Sequence, residues 1–272
     1  MRKRLAQVSR RIRRYGRRGY EVEYVLAYRP QGRRGQADVR DFAAFARRFV
    51  RRFGHRRGLT GIQVTNEANN FLSPDASDGA YPGARDALVR GLIAADREVR
   101  RLGLHLELGF NWFYRLDPSY EEEFWRELRA KGGRRFARAV DWVGVDVYPG
   151  TYFPPAGVPR GSSVLNAISS LRKCYLPLAG LAKRPIHVTE NGWPTGPGRT
   201  PEEQAAALEE MVLAVHRYRG NYGVTDYRWF DLRDADSSSP SFQQQYGLLR
   251  SDYAPKPAFG VYRRLIARLG AG

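Results

Sequence analysis

Apolar residues fall along this chain in two alternating rhythms. Short runs rich in Val, Ile, Tyr and Phe predict strands at Glu21–Tyr28, Gly61–Asn66, Leu104–Phe110, Trp142–Tyr148, Pro185–Thr189 and Thr225–Phe230. Longer segments with a helical period lie between them. In Asp38–Phe53, residues Val39, Phe42, Phe45, Ala46, Phe49 and Phe53 recur at three- and four-residue steps, which makes one helix face apolar. Similar stripes run through Leu88, Leu92 and Val99 in Ala84–Leu102, through Ala207, Met211 and Val215 in Pro201–Tyr218, and through Val261, Leu265 and Leu269 in Pro257–Leu269.

Strand starts fall about 40 residues apart, close to the length of one strand–loop–helix–loop unit of a (β/α) barrel. Each helix follows a strand, as the crossover of a parallel sheet requires. Six such units are visible after an amino-terminal helix around Leu5–Tyr15, whereas the closed barrel has eight. The expected fold is α/β: a TIM (β/α)8-type barrel lacking its first two βα units, as a single partial-barrel domain over residues 1–272. A start upstream of Met1, or a fragment, accounts for the missing units most simply. In an open barrel the edges of the first and last strands invite self-association.

Composition changes this picture little. Apolar residues at 42% and aromatics at 12% suit a folded core rather than disorder. The net charge of +18 raises a polyanionic partner. Arg, however, recurs along the whole chain, and only Lys3, Lys131, Lys173, Lys183 and Lys256 are lysines. The one dense block, Arg2 to Arg18, reads as a solvated helix face, so nucleic acid is not expected as a partner. Cys174 is the only cysteine, which excludes an internal disulfide and a CxxC redox pair. No apolar run has the length of a membrane span or a signal peptide. The chain as written is expected to be soluble and cytoplasmic, or secreted if its start lies upstream.

Functional side chains of such barrels gather at the carboxyl ends of the strands. There the predicted strands deliver Tyr28 and Arg29; Asn66 and Glu67; Asn111 and Trp112; Tyr148; Glu190 and Asn191, with Trp193 beyond; and Trp229 and Asp231. Carboxylates, amides, phenols and indoles on one rim are the chemistry of a carbohydrate site, because aromatic faces stack on sugar C–H surfaces and polar groups bond hydroxyls. Glu67 and Glu190 are the candidate catalytic pair, since glycoside hydrolysis needs one carboxyl to protonate the leaving oxygen and a second to attack or to activate water.

These residues resemble the clan A glycoside hydrolases. Thr65-Asn66-Glu67 is similar to their Asn-Glu acid/base signature, and Val188-Thr189-Glu190-Asn191-Gly192 to the nucleophile segment of family 1 β-glucosidases. Glu190-Asn191-Gly192-Trp193-Pro194 is also similar to a segment of family 17 β-1,3-glucanases. The resemblance implies that the visible strands are three to eight, and that β-linked glycosides are cleaved with retention and without metal or organic cofactor. It implies that Asn66 bonds the hydroxyl next to the reacting carbon, that Tyr148 bonds or orients the nucleophile, and that Trp229 floors the subsite of the cleaved sugar. Asn111, Trp112, Asn191 and Trp193 are further candidates for binding an oligo- or polysaccharide. Arg29 could stand in for an arginine that the second barrel strand supplies in such enzymes.

Three other readings compete, one of them polyanion binding through Arg2–Arg18, which could coexist with either function. A metal-dependent hydrolase is disfavoured because His55, His105, His187 and His216 are scattered, with no HxH or HExxH spacing. A non-catalytic carbohydrate-binding protein or degenerate barrel that kept the rim aromatics stays open.

Overall fold

The computed structural model describes residues 2–30, 35–153 and 157–270, apart from the side chains of residues 2–4 and 37. Six strands, β1 (Val22–Leu26), β2 (Leu59–Val64), β3 (Glu107–Phe113), β4 (Trp142–Val147), β5 (Ile186–Asn191) and β6 (Val224–Trp229), stand in one sheet in chain order. The β1–β2, β2–β3 and β5–β6 pairs are parallel, with Leu26 opposite Val64, Ile62 opposite Leu108, and Asn191 opposite Trp229. Helices α1 (Arg2–Gly16), α2 (Gln36–Phe53), α3 (Ala84–Leu102), α4 (Pro118–Ala139), α5 (Arg160–Ser170), α6 (Leu176–Leu178), α7 (Pro201–Tyr222) and α8 (Pro257–Leu269) connect or flank them. This is the strand–helix alternation that the hydrophobic rhythm predicts.

The chain divides into two compact units. The first comprises Met1–Phe113, Ser119–Val143 and Tyr175–Arg184; the second comprises Tyr114–Pro118, Gly144–Cys174 and Pro185–Gly272.

In the first unit, β2 is buried at every position except Thr60. Helix α2 lays Val39, Phe42, Ala46, Phe49 and Phe53 in the core, while Phe45 stays 36% exposed at the margin of the stripe. Gly91 of α3 is small for a reason: a Cβ there would come within 2.8 Å of Val64 and 2.9 Å of Phe42. Helix α3 ends at Gly103, whose left-handed conformation (φ 61°) lets its amide reach Arg100 O and Val99 O. Helix α4 is broken at Gly133 (φ 55°, ψ −143°).

In the second unit, α7 starts on a reciprocal cap. Thr200 accepts from Glu203 N, and the Glu203 side chain accepts from Thr200 N, with Pro201 in the first helical turn. Buried Ala207, Leu208, Met211 and Val215 form its inner face.

Two strand ends differ from the prediction in a way that matters. β3 begins and ends about three residues later than expected, because the turn after Gly103 continues to Leu106 and the apolar Trp112-Phe113 prolongs the buried run. β5 continues through Glu190 to Asn191. Glu190 is therefore a strand residue, and Trp112 lies inside a strand rather than beyond it.

Candidate active site

In the first unit the site is the turn after β2. Thr65 (φ 65°) and Glu67 (φ 48°) both have left-handed backbones, unfavourable for a β-branched residue above all. Surrounding hydrogen bonds hold the turn in that shape. Thr65 N donates to Leu26 O (3.0 Å), Asn66 N to Asp78 Oδ2 (2.8 Å), and Glu67 N to Asn111 Oδ1 (2.8 Å). Asp78 N donates back to Asn66 O (2.8 Å). Asn66 Oδ1 accepts from Asn111 Nδ2 (2.9 Å) and Gln63 Nε2 (3.2 Å), and Asn66 Nδ2 reaches Ala76 O (3.1 Å).

Glu67 is only 6% exposed. Its Oε2 accepts from Asn70 Nδ2 (2.9 Å) and from Ser77 Oγ. Asp78, fully buried, also accepts from Tyr28 N (2.6 Å). Burial pushes its carboxyl up to about 6, against the pull of those two amides and of Arg29, whose Nε lies 3.8 Å away. Arg29 is thus the partner of Asp78 and of Ala76 O (3.1 Å).

The remaining candidates of this unit are used by the protein itself. Asn111 bridges Glu67 and Asn66 as above. Trp112 has no exposed surface, donates its indole N–H to Glu121 (2.5 Å), and packs on Trp125 and Tyr175. Its ring belongs to the core, so it offers no face to a sugar.

In the second unit the ends of β4, β5 and β6 meet. Tyr148 donates its phenol to Glu190 Oε2 at 2.5 Å. Buried Asp146, two residues earlier on β4, accepts from Thr189 Oγ1 (2.5 Å), and its carboxylate comes within 4.8 Å of that of Glu190. Asn191 ties the three strands together: its Nδ2 donates to Val147 O (2.7 Å) and its Oδ1 accepts from Tyr227 OH (2.6 Å). Gly192 follows because a Cβ there would sit 2.5 Å from Phe230 O. The Glu-Asn-Gly segment thus has a local physical reason.

Trp229 is 8% exposed, and its indole N–H has no hydrogen-bond partner among the described residues. The peptide Phe230–Asp231 is cis. Asp231 is pushed up to about 6, first by burial and then by the charge of Asp234. Trp193 is 5% exposed, with the Arg199 and Arg160 guanidiniums 4.8 and 5.1 Å from its ring centre. Arg199 also donates to Thr151 Oγ1 (2.7 Å) and Gly150 O (2.8 Å), pinning the loop after β4 to the segment after β5.

Sequence reasoning missed Asn70, Ser77, Asp78, Asp146 and Tyr246. Only Asp146 carried a signal, as an acid inside the apolar run of β4. Ser77 and Tyr246 sit in loops and Asp78 opens a one-turn 3-10 helix, Asp78–Ala80, too short for any periodicity to mark direction. Tyr246 is 5% exposed, packs on Tyr148 and Phe230 (ring centres 5.5 and 5.4 Å), and lies close enough to Glu190 to feel its charge.

No protein-family model matches the sequence, and no curated protein matches it. Solved structures do. A β-glucosidase from Exiguobacterium marinum superposes with a TM-score of 0.68 at 14% identity, over 97% of this chain and 78% of that one. A GH5_18 protein from Streptomyces cattleya, in complex with GlcNAc, gives 0.66 at 19% identity, over 100% of this chain and 67% of that one. A β-D-glucuronidase from Dictyoglomus thermophilum gives 0.55 at 15% identity over 86% of this chain. The chain spans only 36% of that protein's length. The chain therefore has the fold of these proteins, an α/β barrel type represented here by six strand–helix units.

Proposed function

We propose that the chain is a retaining β-glycoside hydrolase in which Glu190 is the nucleophile and Glu67 the acid/base. The observation that carries the reading is Glu190 at the end of β5 with the Tyr148 phenol donating to its Oε2 at 2.5 Å. A donor on one oxygen favours the ionised carboxylate that must attack, and it fixes the side chain on a strand rather than on a loop. The likeness of the fold to β-glycosidases supports the same chemistry.

In the first step the Glu190 carboxylate bonds to the anomeric carbon as the bond to the leaving oxygen breaks, and Glu67 gives that oxygen its proton. In the second step the Glu67 carboxylate takes a proton from water as the water oxygen bonds to the anomeric carbon and Glu190 departs. The two inversions give net retention. Trp229 floors the subsite of the cleaved sugar, and Asn66 supports the acid/base turn. No step calls for a metal or organic cofactor.

The test is turnover of aryl β-glycosides and β-glucans, β-glucosides first, with Glu190→Gln as control. Expected are activity on at least one aryl β-glycoside, loss of about a thousandfold or more in Glu190→Gln, and a first product of retained configuration by NMR. An inverted product, or undiminished activity in Glu190→Gln, overturns the assignment. Trp fluorescence quenched by sugars without turnover of any substrate makes carbohydrate binding the better reading.

A further inference from the structure

The loop between β2 and α3 folds back on the acid/base turn. Ser77 N and Ala76 N both donate to Ser73 O (2.7 and 3.0 Å), and Asp78 clamps Asn66 N and Tyr28 N, so Ser77 is delivered to a fixed point. Gly79 permits the approach: a Cβ there would lie 2.7 to 2.8 Å from backbone atoms of Asn70 and Ala68.

The hydrogen positions around Glu67 follow from this network. Leu72 N donates to Asn70 Oδ1 (3.1 Å), so the other end of that amide is the donor Nδ2. Asn70 Nδ2 donates both to Glu67 Oε2 and to Ser77 Oγ, each at 2.9 Å. Ser77 Oγ, already accepting from Asn70, turns its own hydrogen to Glu67 Oε2. Two donors therefore converge on Oε2, in a place where Ser77 is fully buried and Asn70 is 3% exposed. A proton on Oε2 would face both of them.

We infer that Ser77, seated by Asn70 and the Asp78 turn, is a positioning residue that directs the acidic proton of Glu67 to Oε1. This rests on Glu67 being the acid/base. The same two donors stabilise the Glu67 carboxylate once its proton has left, which prepares it to act as base on water.

The experiment combines a kinetic and a titration readout on Ser77→Ala. Across aryl β-glucosides of graded leaving-group basicity, the loss should stay within about threefold for dinitrophenyl and reach about tenfold or more for phenyl, because only poor leaving groups need the proton. The alkaline limb of kcat/KM should move to higher pH, since a carboxylate that loses a donor holds its proton longer. Glu67→Gln is the control: if it shows no leaving-group dependence, the acid/base assignment fails rather than the role of Ser77. Independently of turnover, 13C NMR of Glu-labelled protein, with the Glu67 carboxyl identified by its absence in Glu67→Gln, should show a raised titration midpoint in Ser77→Ala. Ser77→Cys keeps the shape with a weaker donor and takes the same titration should the Ala variant fail to fold. An unmoved Glu67 midpoint in a folded variant overturns the inference, as does an equal loss for all leaving groups while Glu67→Gln discriminates among them.

Discussion

Tyr148 and Glu190 are joined by a 2.5 Å hydrogen bond between the ends of two strands, β4 and β5, with the phenol as donor and Oε2 as acceptor. A bond to a charged acceptor is worth about 1.5–3 kcal/mol. Tyr148→Phe should therefore cost about tenfold to hundredfold in kcat/KM. It should also move the acid limb of the pH profile upward, because a nucleophile without its donor stays protonated to higher pH. Steady-state kinetics over pH on an aryl β-glycoside check both. An unmoved acid limb would separate Tyr148 from the ionisation of Glu190.

Much of this arrangement was legible in the sequence, for a reason that also marks the boundary of what was not. Glu67 and Glu190 sit at the ends of buried runs, and a strand end fixes direction as well as position. The apolar runs accordingly put Glu190 and Tyr148 on neighbouring strand ends. Trp112 went astray because strand ends are read from where the apolar run stops, and Trp112-Phe113 are themselves apolar. Ser77 and Asp78 were illegible because their function lies in loop hydrogen bonds to residues about ten positions away in sequence, and no pattern of polarity encodes that return. Tyr246 is similar: it reaches Tyr148 from a loop beyond β6, about a hundred residues downstream.

Asp78 gives the stability of the protein a pH dependence of known sign. Its carboxyl rises from an ordinary 3.8 to about 6, chiefly through burial. A raised acid contributes stability that is fully present below the unfolded value, near pH 4, and lost as pH climbs through about 6. Two pH units correspond to about 3 kcal/mol at most. Asp78→Asn has no such titration, so from pH 4.5 to 7.5 the variant should gain on the native chain by up to about 2 kcal/mol, the rest of the effect lying below pH 4.5. Urea unfolding of both proteins at the two pH values measures the slope, whatever constant offset the substitution adds. A difference that stays flat with pH would show that Asp78 is ionised throughout.

Gly192 tests whether the nucleophile segment is held by its packing. A Cβ at this position would sit 2.5 Å from Phe230 O and 3.0 Å from the Tyr246 ring. Gly192→Ala must therefore displace the chain beside Glu190, at a cost of about 1–3 kcal/mol. A lower urea midpoint together with loss of turnover is expected. An unchanged midpoint would mean that the segment after β5 takes up the added methyl without cost.

Tyr246 separates stability from binding most cleanly. Its hydroxyl is buried and lies near Tyr152, yet it lacks a hydrogen bond of good geometry to any described residue. An unsatisfied buried hydroxyl costs a folded protein about 1–3 kcal/mol, so Tyr246→Phe should leave the melting temperature unchanged or raise it. The ring still packs on Tyr148 and Phe230, and the geometry around Glu190 is preserved. If the hydroxyl is a ligand for a sugar beside the nucleophile, the variant should bind substrate more weakly by about tenfold, visible as a raised KM or a raised Kd in Trp fluorescence, while its fold is no worse. A fall in melting temperature with unchanged sugar binding would instead make the hydroxyl a structural group. Since the fold is expected to hold while binding weakens, a single variant with a melting curve and a binding isotherm distinguishes a residue kept for substrate from one kept for the core.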